Sequence, residues 1–228
     1  MSKIPEFIII ISHLPILITV SYGAFVYKEL GNELKAFSYF LFLSGVIAFA
    51  SLVFWFYSKN NMPLLHMYVA GGFFFLALFY QRVLNGFIDK KVIYGILISF
   101  LIFTISNSLF IQPMTTFNSY ALTIESVFIV ILSILTYLLM MEEIVKKKRL
   151  GLARSLNWIN CGLFLYYSSN LLIFYFGNIM THSLSKEVNQ YTWILHNFFM
   201  VIMYCCFFMG LWYRPQSVSS HNFFQKIE

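Results

Sequence analysis

The chain has 228 residues, 60% of them hydrophobic, 20% aromatic and only 11% charged, with a mean hydropathy of +0.76 and a formal charge of +6. This lies far outside the soluble range, where apolar residues rarely exceed about half of a chain. It excludes a separate soluble catalytic, kinase or DNA-binding domain, since no polar segment is long enough to fold alone, and it makes the positive charge topological information rather than a sign of nucleic-acid binding.

Breaks at charge, proline and glycine clusters leave apolar runs at 7–27, 36–57, 63–88, 92–112, 119–141, 156–178 and 191–213, each long enough to span a bilayer. The first run has an apolar core too long for a secretion signal and no small-x-small cleavage site after it, so it is expected to remain as a span. Span one carries Ser12, His13 and Pro15; span three opens on "NNMPLLHMYVAGG" with His66 and the Gly71–Gly72 pair, and holds Arg82 near its other end. Span four carries Asn107, span five Glu125, span six Asn160, Tyr166 and Asn170, and span seven His196 and Asn197 just after Trp193. The expected fold is an all-α integral membrane protein, a seven-transmembrane-helix bundle over 1–213 with a short cytoplasmic tail at 214–228. A three-plus-one-plus-three carrier shares this layout but normally relies on paired prolines in equivalent helices, and here only Pro15 lies well within a span.

Lysine and arginine orient the bundle. One side holds Lys3, Lys59 and Lys186; the other holds Lys28, Lys35, Lys90, Lys91, Lys146, Lys147, Lys148, Arg149, Arg154, Arg214 and Lys226. That bias puts the N-terminus outside and the C-terminus in the cytoplasm, as expected of a multi-pass protein of the cytoplasmic membrane. The run "EEIVKKKRLGLAR" is the strongest single vote; it meets anionic head groups of the lipid bilayer, or a cytoplasmic partner through the loop 142–155. Cys161, Cys205 and Cys206 all fall in apolar runs and imply neither a disulfide framework nor a zinc finger.

Ionisable groups are costly inside a membrane, so each one raises a question of function. At about 1.5 Å rise per residue, His13, His66, Glu125 and His196 lie roughly 5–9 Å in from the outer ends of their spans. Asn107, Asn170 and Asn197 reach the same slab, and Tyr166 joins them from the hydroxyl-rich span six. Two kinds of chemistry follow. His66, Glu125, Asn170, His196, Asn197, Asn107 and Tyr166 form a candidate ligand-binding set for a small polar ligand or a proton. His13, His66, Glu125 and His196 form a candidate metal set, since imidazoles and one carboxylate suit a divalent ion such as Zn²⁺ with a position left for water or substrate. Taken singly, His13 and His66 read as packing residues; Glu125 is the expensive one, at about 2.5–3.5 kcal/mol on insertion scales. No lysine lies inside span seven, so a retinal Schiff base is not expected, and GxSxG, HExxH and phosphate-loop motifs are missing. Seven-helix hydrolases of the ceramidase and adiponectin-receptor kind differ in having a paired HxxxH in a late helix and an intramembrane Asp.

Together "NNMPLLHMYVAGGFFFLALFY", "FIQPMTTFNSYALTIES", "LNWINCGLFLYYSSNLLIFYFGN" and "YTWILHNFFM" resemble a group of uncharacterised seven-transmembrane proteins of Bacteroidota-type bacteria, across most of spans three to seven. Members of that group are often encoded beside sensor histidine kinases, so the resemblance implies a signalling role with a kinase partner and supplies no catalytic residues. The leading expectation is therefore a membrane sensor or receptor-like module with an outward polar pocket. A metal-dependent membrane hydrolase and a small transporter are the alternatives.

Overall fold

The computed structural model describes residues 3–145, 150–183 and 185–215. The lysine run 146–148 with Arg149, and the tail from 216 onward, lie outside the described residues. Seven long helices occupy the expected positions: α1 (Lys3–Val26), α2 (Asn32–Phe56), α3 (Met62–Val83), α4 (Lys90–Ser106), α5 (Ser119–Val145), α6 (Leu150–Ser183) and α7 (Lys186–Trp212). Six of them, α2 to α7, are long and apolar enough to cross a membrane. The chain is thus an α-helical, multi-pass membrane bundle.

Burial is inverted relative to a soluble protein. Phe25 and Phe110 are more than four-fifths exposed, and Ile98, Ile102 and Leu172 also face outward, whereas Ser38, Asn107, Asn118, Glu125, Asn160 and Asn170 are buried. An apolar exterior this extensive is stable only when lipid covers it. Inside, a mainly apolar core is interrupted by polar groups, several of which link helices by hydrogen bonds, as Asn160 links α6 to α5 through the Ser133 carbonyl.

Helix ends follow local chemistry, and this is where the expected boundaries move. Span three was expected to reach residue 88, but α3 stops at Val83. A corner follows in which Gly86 takes φ +85°, a conformation that costs glycine little, and Asp89 accepts the Lys91 N–H at 2.9 Å to cap α4. Helix α4 ends in a π turn, Asn107–Ile111, so its last carbonyls meet wider-spaced donors, with the Gln112 N–H reaching the Asn107 carbonyl at 2.7 Å. Helix α6 runs to 34 residues, well beyond the expected 156–178, because its extra turns are polar and hydropathy does not reveal them.

Successive helices pack side by side and α1 returns to α7, closing a ring; α3 also meets α5, which leaves α4 on the periphery. The starts of α1, α3, α5 and α7 share one end of the bundle, the N-terminal end, and Trp212 lies at the other, the C-terminal end. Two glycines set the α6–α7 distance. A Cβ on Gly162 would sit 2.9 Å from Cys206 Cβ, and one on Gly210 would sit 2.5 Å from Ile159 Cγ1. Ser155 donates to the Gly210 carbonyl at 2.6 Å across the same seam.

At the C-terminal end, Arg214 pairs with Glu29 at 2.5 Å and donates to the Tyr22 hydroxyl at 2.8 Å, so the end of α7 is clamped to the end of α1. Arg154, part of the segment expected to face a partner, instead lies in α6 with its guanidinium 3.8 Å from the centre of the Tyr213 ring. Arg82 is exposed and donates to the Asn32 carbonyl at 2.6 Å, the geometry of a guanidinium that has reached the helix-end layer.

Candidate functional site

A cavity of about 350 Å³ lies between the helices in the N-terminal half of the bundle. This is within the size range of small-ligand sites. Every helix except α4 contributes to its wall, which is mainly apolar: Ile16, Ala48, Leu65, Met200 and Met203 supply much of the surface. His13, Tyr68, Tyr166, His196 and Tyr204 supply its polar points. The Tyr68 hydroxyl lies 3.3 Å from Ser44 Oγ, and the Tyr204 phenol sits against the same pair.

His196 is oriented by a chain of two hydrogen bonds. The Asn170 amide donates to the Tyr166 carbonyl one helical turn earlier at 2.8 Å, which turns Asn170 Oδ1 toward His196 Nδ1 at 3.0 Å. Nδ1 must therefore carry a proton. In the neutral ring, Nε2 keeps a lone pair, and it takes no hydrogen bond from the described residues. Tyr166, Phe174 and Trp193 surround the imidazole, with ring centres 5.6–5.7 Å away, and hold its plane. The result is a positioned acceptor in a mostly apolar wall.

Toward the C-terminal end, an aromatic cluster packs behind the cavity-lining Tyr68 and Tyr204. Phe37, Phe40 and Phe207 are fully buried, with Phe207 ring centres 4.9 and 6.2 Å from the other two. Deeper still, Tyr80, Ser133 and Asn160 form a closed polar triad: the Tyr80 hydroxyl lies 2.8 Å from Ser133 Oγ and 3.2 Å from Asn160 Oδ1, and the Asn160 amide donates to the Ser133 carbonyl at 3.0 Å. Its polar atoms satisfy one another.

The structure separates the residues that depth had grouped. His196 and Tyr166 line the cavity, as does His13, and Asn170 positions His196. His66 does not line it. Its Nδ1 is 2.7 Å from Ser108 Oγ and its Nε2 is 3.1 Å from the Thr116 carbonyl, so it donates through Nε2 and fastens α3 to the α4–α5 connection. Replacing His66 with leucine leaves that carbonyl without its donor, at a cost of about 1–3 kcal/mol. The expected signature is a lower Tm with faster hydrogen exchange across residues 108–119.

Glu125 is 1% exposed and also lies off the cavity wall. Oε1 accepts from the Tyr167 hydroxyl at 3.2 Å, and among the described residues Oε2 has no hydrogen-bond partner. Asn107 is buried in the α4–α5 corner, where its amide donates to Asn118 Oδ1 at 2.8 Å and to Gln112 Oε1 at 3.1 Å. Asn197, next to His196 in sequence, points away from the cavity because adjacent helical residues diverge by about 100°.

The four residues of the metal set are therefore not gathered. Among the described residues no three His, Cys, Asp or Glu side chains lie close enough to hold one ion. Both nitrogens of His66 are spent on Ser108 and Thr116, and Glu125 faces Tyr167. No step through a metal follows from this geometry.

No family model, curated protein or solved structure matches the chain. The site is interpreted from its own atoms. Reasoning from sequence missed Tyr68 and Tyr204, since two tyrosines in a chain with 15 of them and 27 phenylalanines carry no distinguishing signal. Their spacing could have found them: Tyr204 lies eight residues from His196, on the same helical face as Met200 and Met203.

Proposed function

We propose that this chain is a membrane sensor or receptor-like module of seven spans, with α1 as the seventh crossing element and the N-terminus outside, in the cytoplasmic membrane. The cavity faces outward under this orientation and takes up a small ligand. The C-terminal end passes occupancy to a cytoplasmic partner, and a sensor histidine kinase is the partner class that the resemblance implies.

One observation carries the reading: a positioned imidazole acceptor stands in the wall of a ligand-sized cavity. A transporter needs a polar route toward the C-terminal end, and the buried Phe37–Phe40–Phe207 cluster behind Tyr68 and Tyr204 supplies none. A metal-dependent hydrolase needs gathered ligands, and the described residues offer no such group. A sensor needs a cavity and a mechanical connection to the far end. Helix α7 (Lys186–Trp212) connects the two, with His196 in its first half and the Arg214–Glu29 pair just beyond its C-terminal end.

The test fills the cavity sterically and watches the far end. Ala48→Phe places a ring where a ligand would sit, and hydrogen exchange at residues 27–31 and 211–214 is compared with the native protein. Altered exchange there, with the fold intact, is the expected result. Unchanged exchange at the far end would leave a binding protein without signal transmission and defeat the proposal.

A further inference from the structure

The geometry points to an uncharged, largely apolar molecule carrying one hydroxyl group as the occupant of this cavity, its O–H donating to His196 Nε2. This rests on the reading of the cavity as a ligand site and names the chemistry it selects.

The acceptor comes first. Asn170 takes the proton-bearing nitrogen of His196 as its partner, and the Asn170 amide is itself committed to the Tyr166 carbonyl. Neither group can turn without breaking a bond to its neighbour. The ring therefore presents a lone pair rather than an N–H, so a ligand that only accepts hydrogen bonds, such as an ether or ester, finds no complement at the imidazole, and the Tyr68 and Tyr204 hydroxyls are engaged with Ser44. A ligand that donates finds its complement at the imidazole.

Charge comes second. No lysine, arginine, aspartate or glutamate lines the cavity. A carboxylate or phosphate would enter without a lysine or arginine to meet it. An ammonium would enter without a carboxylate, since Glu125 lies behind the wall and faces Tyr167. Leaving either ion unpaired among mostly apolar side chains costs several kcal/mol on the usual scale for buried charge. A neutral hydroxyl avoids that cost.

Shape comes third. A volume of about 350 Å³ suits a single ring with a short alkyl chain better than a long acyl chain. The wall helps: Met200 and Met203 are flexible thioethers that adapt to an apolar body, and Trp193 and Phe174 offer flat faces beside the acceptor. A phenol or compact alcohol matches both the polar point and the apolar remainder.

Four probes separate the hydroxyl from the body it rides on. The full chain in nanodiscs is titrated calorimetrically with 4-butylphenol, with its methyl ether 4-butylanisole, and with the ions 4-butylbenzoate and 4-butylbenzylamine. Binding is defined as the part abolished by filling the cavity through Ala48→Trp, or through Ser51→Trp one turn away where the first variant does not fold. The expected result is that the phenol binds at least tenfold more tightly than the ether, and that neither ion binds measurably. In His196→Phe the phenol falls to the level of the ether. Equal affinity of phenol and ether in the native chain, with His196→Phe silent, overturns the assigned chemistry while leaving the cavity a ligand site. Tight binding of either ion overturns it as well. If no probe binds in a way that the filling substitutions abolish, the underlying reading of the cavity fails.

Discussion

Gly210→Leu is expected to separate α6 from α7 and to lose most of the folded protein. Even a methyl group at this position would come 2.5 Å from Ile159 Cγ1 and 3.0 Å from the Ser155 carbonyl. Ile159 is a buried side chain able to change rotamer, but the Ser155 carbonyl belongs to the helix backbone and cannot yield without moving α6. Overpacking of this kind typically costs about 1–3 kcal/mol, and a leucine against backbone belongs at or above the top of that range. The seam has little to offset it, because helix association in lipid depends on close packing and on links such as Ser155 to the Gly210 carbonyl. Size-exclusion profiles and Tm in detergent provide the measurement, with Gly210→Ala expected to be milder. Ile159→Ala should recover part of the Gly210→Ala loss by removing the nearer clash, but not the part due to Ser155. Full recovery would mean that the backbone contact does not set the helix spacing. The site feels the same change, since α7 carries His196, Met200 and Met203 into the cavity wall.

Helix positions along the chain were legible in the sequence, and the azimuth of each polar side chain was not. Runs of about 20 apolar residues locate each helix along the chain, because the bilayer imposes a length, but polar end turns such as those of α6 fall outside such runs. The same rule placed His13, His66 and His196 in one slab. Which way each imidazole turns depends on neighbours that sequence does not rank. His66 turns toward a π turn and a loop carbonyl, Ser108 and Thr116, neither of which has a recognisable signature. His196 turns inward because Asn170 receives it, and that pairing joins residues 26 positions apart on different helices. Helical spacing did succeed within single elements. Asn160, Tyr167, Asn170 and Phe174 share a face of α6 by their spacing, and all four are buried. In α5, Glu125, Ile129, Leu132 and Thr136 behave the same way. What periodicity could not supply was the meeting of those two faces, where Tyr167 reaches Glu125. That contact moved the carboxyl out of the expected pocket and into the helix interface.

Glu125 is also where stability and function should come apart most clearly. A buried carboxyl with one donor at 3.2 Å and a second oxygen without a partner among the described residues is poorly satisfied, so an apolar residue of similar length should serve the fold better. Glu125→Met is expected to raise stability by about 1–3 kcal/mol, seen as a higher Tm. Tyr167→Phe has the opposite sign in the native background: it removes the single donor to Oε1 and costs about 1–3 kcal/mol. Combined with Glu125→Met, the same Tyr167→Phe should cost little, because no carboxyl remains to be stranded. That difference is the coupling energy of the pair, and a double-mutant cycle reads it directly. Additive effects would show that Tyr167 stabilises through packing alone. A destabilising Glu125→Met would show that the bare oxygen has a partner of its own, such as a buried water bridging it to the protein. If the sign is as expected, the chain carries a carboxyl that its fold would be better without, between α5 and α6 and one residue on α6 from the cavity-lining Tyr166. A group retained against stability in that position is then the natural one to test for the step from cavity to far end. Glu125→Met should keep phenol binding and lose the exchange response at residues 211–214.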